Sequence, residues 1–346
     1  MGLFTAPVPG TSFGVQAPIL QINQYPEWDV TVALALFFTG LGGMLMAITG
    51  LLEVTGKYPG LVKRNSVFAF IFTALSLIFF DIHLGNPERG FFAPINAFPQ
   101  MVHSWMARGI EFVGGLLLFA FIFMALKVVL NSKNVVLNWT FAILGVIAGI
   151  FSTTYSGFEL SAATGVPFWN NGGLPALFLA SGTVGGAAWS YIMSFVGSGE
   201  EWIRARRLTA KLLAYSAIAE LATWFLFVAN VNFINVFEEV GYIYLVTSAT
   251  FALDLVLLGL GFVVPGIGTL MAWRATKATG AETLNDFSTP IKVAILVVAV
   301  LALVAGFFTR ADVLFAGQYA YQLAPLTPFQ YTSNQPVPIG SFGWRS

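Results

Sequence analysis

Between Thr154 and Gly182 the sequence reads TYSGFELSAATGVPFWNNGGLPALFLASG. One apolar run closes on Tyr155 and Glu159, a short loop carries Pro167, Trp169, Asn170 and Asn171, and a second apolar run opens at Leu174. An apolar helix should not end by placing a tyrosine, a glutamate, a tryptophan and two asparagines at one level unless that level is used. Similar groups recur at the same level: Asp29 opens the first apolar run, Asp81 closes the second, and Glu111 lies two turns into the third, about 9 Å below its end at 1.5 Å per residue. Ionisable groups at membrane depth are costly and mark working sites by default. The plainer account also stands: Asp29 and Asp81 mark the interface, and Glu111 pairs with Arg108 one turn back.

The elements that must position these groups follow from composition. The 346 residues are 57% hydrophobic and 9% charged, with no cysteine and a formal net charge of zero. A soluble domain carries roughly 25% charged residues, so this chain reads as an all-α polytopic membrane protein. No basic footprint for nucleic acid is visible. Without cysteine, the chain cannot itself hold an iron–sulfur cluster or a thioether-linked haem. The N-terminus lacks a basic stretch followed by an apolar core, so no cleavable signal is expected. Eight segments reach the roughly 20 apolar residues that a span requires: 30–52, 66–84, 105–130, 137–157, 174–197, 211–233, 241–272 and 288–308.

Twelve of the 16 Lys and Arg residues fall at the connections after segments one, three, five and seven or flank that side; Arg89, Arg108, Arg310 and Arg345 fall opposite. This bias predicts both termini outside the cytoplasm, in the cytoplasmic membrane. The division expected is a tail over 1–29, four helices over 30–157, four more over 158–310, and a tail over 311–346. That last tail, aromatic and nearly uncharged, reads either as disordered or as lying along a partner.

Glu220 and Asp254 fall near the midplane of segments six and seven. They either share a proton as part of a proton path, or each bonds a neighbouring Ser, Thr or carbonyl. The two histidines, His83 and His103, flank one loop, whereas a bis-His haem needs imidazoles facing across a bundle. No haem is expected, and electrons must leave through a partner. An apolar pocket with few convergent polar groups suits a small amphipathic ligand entering from lipid, and a quinone fits.

Several motifs carry a resemblance: DIHLGNPER from Asp81 to Arg89, SWMARG from Ser104 to Gly109, YSGFELS from Tyr155, PFWNNGGLPALFLASG from Pro167, and Arg310 followed by Gly317-Gln318. In this order they resemble the polysulfide reductase membrane-subunit (NrfD-like) family across nearly the whole chain. The resemblance implies two side-by-side four-helix bundles and a quinone site in the first bundle near the outer face. Tyr155 matches the tyrosine expected to bond the ring. The partners implied are a ferredoxin-like subunit with 4Fe–4S clusters and a molybdenum or tungsten bis-pterin catalytic subunit. Two positions depart from the family pattern: the first helix offers only Asp29, Thr31 and Thr39 where better-known members place His and Asn, and Glu159 stands for an apolar residue.

The expected function is a membrane anchor exchanging electrons between menaquinone-type or other quinones and an external iron–sulfur subunit, with quinol oxidation the favoured direction. Tyr155, Asp29, Asp81, His83, Glu111 and Ser104 are the candidate quinone contacts, with Tyr155, Asp81, His83 and Glu111 handling protons. Pro87, Arg89, Trp169, Asn170 and Asn171 are the candidate docking residues. The alternatives are a proton-coupled secondary transporter built on Glu220 and Asp254, and a passive anchor without quinone chemistry.

Overall fold

A computed structural model of the chain describes residues 28–83, 87–163, 165–231, 236–279 and 286–323. The described residues are helical and contain no strand. In lipid every backbone N–H and C=O must be paired within its own segment, and a helix achieves this. We label the long helices α1 (Val30–Thr55), α2 (Pro59–His83), α3 (Trp105–Met124, prolonged by a wider turn to Val129), α4 (Val135–Ser161), α5 (Leu174–Ser194), α6 (Glu200–Ala229), α7 (Val236–Thr247), α8 (Ala249–Thr279) and α9 (Thr289–Leu323). All except α7 are long and apolar enough to cross a membrane, giving eight candidate spans among the described residues.

Local chemistry sets several ends. Asp29, Ser104 and Asn134 cap α1, α3 and α4 by accepting from backbone N–H groups in the first turn, which satisfies donors that a helix start leaves open. Gly56 ends α1 at φ 65°, the left-handed conformation that glycine adopts without cost.

The structure moves several segment boundaries: the second span starts at Pro59, not 66, and the sixth at Glu200, not 211. The last helix does not stop at 308 but runs to Leu323, so Arg310, Asp312 and Gln318 are helical residues rather than the start of a tail. Arg310 is also interior, 1% exposed, and so does not belong among charges flanking the outer side. The seventh segment starts at Ala249, not 241, because the chain breaks at Ser248 between α7 and α8.

α1 is the most enclosed of the spans: 78% of its most apolar stretch is buried, against 28% for each of α2, α3 and α4. It packs on α2, α4, α5 and α9. Its backbone touches α4 at Gly43 and Gly149, where a Cβ on either residue would overlap the other helix; small residues permit this close approach between spans. α3 lies against α2 and α4, while α6 packs between α5 and α8, and α9 runs along α5, α7 and α8. Polar pairs tie the helices at depth: Asn65 Nδ2 donates to Ser190 Oγ at 2.9 Å, and Lys127 meets Glu53 at 2.7 Å.

Candidate functional site

Three stacked contacts join the first half of α3 to the last half of α4. Trp105 stacks on Phe158 with ring centroids 5.0 Å apart, the Tyr155 ring lies on Gly109, where a Cβ would overlap it, and Ser152 Oγ donates to the Phe112 carbonyl at 2.9 Å. Tyr155 is buried, 5% exposed, and the half-buried Glu159 carboxyl lies close to its phenol one turn further on. Glu159, which departs from the family pattern, thus stands beside the phenol. A phenol donates and an ionised carboxylate only accepts, so the Tyr155 oxygen keeps lone pairs free for another donor.

The remaining candidates form separate groups. Asp29 caps α1, and its Oδ1 lies 3.8 Å from Nδ1 of His83 at the end of α2. The hydrogen bond from Thr31 holds the Asp29 carboxyl below its usual value, against a small opposing effect of burial, with His83 adding to the lowering. Asp81 abuts Gly90, whose missing side chain makes room for its carboxylate. Ser104 accepts from Ala107 N as the cap of α3, a structural role sufficient in itself. Glu111 does not pair with Arg108: that guanidinium donates to the Met101 and Val102 carbonyls and covers the Trp105 ring. One Glu111 carboxyl oxygen, Oε1, is buried with no partner. Counting 3.6 residues per turn, Glu111 points roughly 200° away from Gly109, so it does not share the Tyr155 face.

The docking candidates fall differently from the expected ridge. Trp169 and Asn171 are interior, 1% and 4% exposed. Trp169 Nε1 donates to the Val313 carbonyl at 2.8 Å, its ring lies on Gly317 and stacks with Trp28 at 5.3 Å. Asn171 Nδ2 donates to the Phe227 carbonyl at 2.9 Å. Asn170 alone of the three is exposed. The side chains of Pro87 and Arg89 lie outside the described residues. The stretch beside them presents Phe92, Ile95, Phe98 and Val102, which are 54–73% exposed.

Glu220 and Asp254 do meet. Both are fully buried, and Thr309 Oγ1 lies 2.9 Å from Glu220 Oε1, 2.9 Å from Asp254 Oδ2 and 3.2 Å from the Ala305 carbonyl. A hydroxyl carries one hydrogen. It can donate to only one of these oxygens, so the arrangement closes when a carboxyl carries a proton and donates to Thr309. Trp224 Nε1 donates to Asp254 Oδ2 at 3.0 Å, while Glu220 Oε2 and Asp254 Oδ1 are buried without partners.

Beside them, the Arg310 guanidinium bonds Ser181 and the carbonyls of Leu36, Phe178 and Gly306 and acts electrostatically on both carboxyls. Further along α9, Asp312 accepts from Thr250 and Ser248 at the α7–α8 break. Tyr244 on α7 stands at its end, its phenol raised by burial and then by the nearby Asp312. Thr309, Asp312, Trp224 and Ser181 were not singled out from sequence. The apolar pattern continuing through Ala311, Val313, Leu314 and Ala316 was the signal that α9 runs on and carries them inward.

No group of three His, Cys, Asp or Glu residues among those described can hold a metal ion. Fold and polar layer together define a multi-pass helical membrane protein that concentrates ionisable groups inside its spans. The chain belongs to the family described as Polysulphide reductase, NrfD, whose profile matches residues 20–322. It is 24% identical over 193 residues to Protein NrfD homolog of Haemophilus influenzae, covering 49% of this chain and 59% of that protein. The aligned part thus spans about three-fifths of that relative's length.

Proposed function

We propose that this chain is the membrane anchor of a respiratory oxidoreductase, exchanging electrons between the quinone pool and an iron–sulfur subunit docked on its outer face. The observation that carries the reading is the buried Tyr155 phenol with the half-buried Glu159 carboxyl beside it at the end of α4. The residues fit a quinone headgroup: a phenol with a carboxylate beside it, and the Asp29–His83 pair at the neighbouring ends of α1 and α2. Bound there, a quinol supplies two electrons and two protons, the electrons going to the partner's clusters.

With Glu159 ionised, the phenol donates to the carboxylate, and its oxygen accepts from a quinol hydroxyl. Tyr155 then takes the quinol proton as it passes its own to Glu159. With Glu159 protonated the chain of bonds reverses, and the phenol donates to a quinone carbonyl. We take quinol oxidation as the favoured direction. Asp81, His83 and Glu111 complete the route to the surface, and Asp29 and Ser104 shape the mouth.

The same reading places both termini outside the cytoplasm in the cytoplasmic membrane, with α1–α4 and α5–α9 as two adjoining bundles. The exposed apolar residues Phe92, Ile95, Phe98 and Val102, with Pro87, Arg89 and Asn170, form the docking surface for a ferredoxin-like 4Fe–4S subunit, behind which a molybdenum or tungsten bis-pterin subunit performs the terminal chemistry. Glu220, Thr309, Asp254 and Asp312 form a proton path.

The test is Tyr155→Phe in the purified complex. Quinol-driven turnover should fall by about 100-fold, in the range lost with a positioned acid–base group, while dye-driven turnover of the catalytic subunit stays normal. Unchanged quinol turnover would remove Tyr155 from the reaction. A second reading, a proton-coupled transporter, draws on the buried Glu220–Asp254 pair and the helix break at Ser248, features shared with transporters. Substrate uptake by the isolated chain in proteoliposomes would favour it. Intact assembly with no quinone binding would leave a passive anchor.

A further inference from the structure

At the Lys- and Arg-rich end, a cavity of about 370 Å³ opens between the α1–α2 turn and the first three turns of α6, lined by Lys57, Tyr58, Arg204, Arg207, Leu208 and Lys211. Four of the six are cations and none is a carboxylate. The α6 members recur at three- and four-residue spacing and so share one face. The turn is fixed against α6: Gly60 N donates to Glu201 Oε1 at 2.7 Å, and the Arg64 guanidinium covers the Trp202 ring at 4.4 Å.

The charges here are largely uncompensated. Arg206, on the next face, is neutralised by Asp286 at 2.7 Å, and Arg204 pairs with Glu200 at the rim. Lys57, Arg207 and Lys211 have no carboxylate in ion-pair range among the described residues. Arg207 is pinned by bonds to the Ala272 carbonyl and Thr276 Oγ1, yet its Nε is buried with no acceptor. A buried donor without a partner is costly, and an anionic oxygen would supply one.

We propose that this cavity binds the phosphate group of an anionic phospholipid. The Arg207 fork and the Lys57 and Lys211 ammonium groups match phosphate oxygens, with the Tyr58 phenol as a further donor. Position favours a lipid over free phosphate. α6 has 30 residues, about 45 Å at 1.5 Å per residue, longer than a hydrocarbon core of roughly 30 Å. The cavity lies along its first turns, where headgroups give way to acyl chains. Beyond Lys211 the same face continues with Tyr215 and Ile218, 68% and 42% exposed, an apolar track for the chains. Basic pockets between spans are the usual seat of such headgroups.

The experiment compares phosphatidylglycerol, phosphatidylcholine and inorganic phosphate as additions to the purified, delipidated protein, read by native mass spectrometry and thermal shift. Wild type should retain and be stabilised by phosphatidylglycerol over phosphatidylcholine. Each surface cation contributes roughly five-fold to binding, so Lys57→Gln with Lys211→Gln should weaken phosphatidylglycerol binding by about 25-fold. The single Lys211→Gln, at an exposed position, should lose about five-fold. Lys133→Gln, a charge loss elsewhere at the same end, should change nothing. Equal retention of the two lipids, an undiminished preference in the double variant, or inorganic phosphate matching phosphatidylglycerol would each overturn the proposal.

Discussion

Gln318 holds both backbone groups of Trp28: its Oε1 accepts from the Trp28 N–H at 2.8 Å, and its Nε2 donates to the Trp28 carbonyl at 2.9 Å. The start of α1 is therefore fixed to α9 across 290 positions of sequence. Gln318→Leu removes both bonds and should cost about 2–3 kcal/mol at roughly 1 kcal/mol per bond plus the loss of a partner. The readout is the thermal midpoint in detergent, and a midpoint equal to wild type would mean the clamp carries no stability.

Glu159→Gln keeps an acceptor for the Tyr155 hydrogen bond but cannot take a proton. Quinol-driven turnover should drop by about 100-fold with little change in the quinol KM, because the phenol stays in place. Steady-state kinetics against quinol and against an artificial dye separate the two effects. Turnover within two-fold of wild type would exclude Glu159 as the acceptor.

Thr309→Val strips the hydroxyl that both Glu220 and Asp254 contact, leaving two buried carboxyls short of a partner. The expected cost is about 2–4 kcal/mol, seen as a lowered thermal midpoint, while Thr309→Ser should stay within about 1 kcal/mol of wild type. If valine were tolerated as well as serine, the shared hydroxyl would not organise the cluster.

Asp286 joins the start of α9 to α6, with Arg206 at 2.7 Å and Lys292 at 3.0 Å. Burial pushes its carboxyl up, but the hydrogen bonds from Arg206 and Lys292 outweigh this and hold it below the usual value. A depressed carboxyl binds its proton more weakly in the folded state, so its contribution is present above the unfolded value near 3.9 and fades as pH falls through the lower folded value. Thermal midpoints measured from pH 7 to pH 3 should decline at the acid end, and Asp286→Asn should flatten that part of the decline. An identical acid limb in the variant would count against the ion pair.

The sequence made the eight spans legible because lipid demands long apolar runs, and the YSGFELS motif singled out Tyr155, with Glu159 standing only as a departure from the family pattern. Where the reading went astray, an interior partner was invisible. Arg310 and Asp312 look like the end of a span until α1, α5 and α8 are seen to receive them through Leu36, Ser181 and Thr250. Trp169 and Asn171 sit in a loop, and loops ordinarily lie at the surface, but their N–H groups reach the Val313 and Phe227 carbonyls, partners 144 and 56 positions away. Arg108 was a reasonable mate for Glu111 by spacing alone, yet backbone carbonyls at Met101 and Val102 claim it. Long-range pairing of this kind leaves no periodic trace.

The enclosure of α1 bears on how the molecule is built. The span that neighbours cover most completely is the first to leave the ribosome, and two of those neighbours, α5 and α9, are translated well over a hundred residues later. Until they arrive, the face around Gly40 and Leu41, on which Arg310 and Gly185 pack, lacks its cover. The packing of α1 is therefore completed only when α9, a much later helix, reaches it.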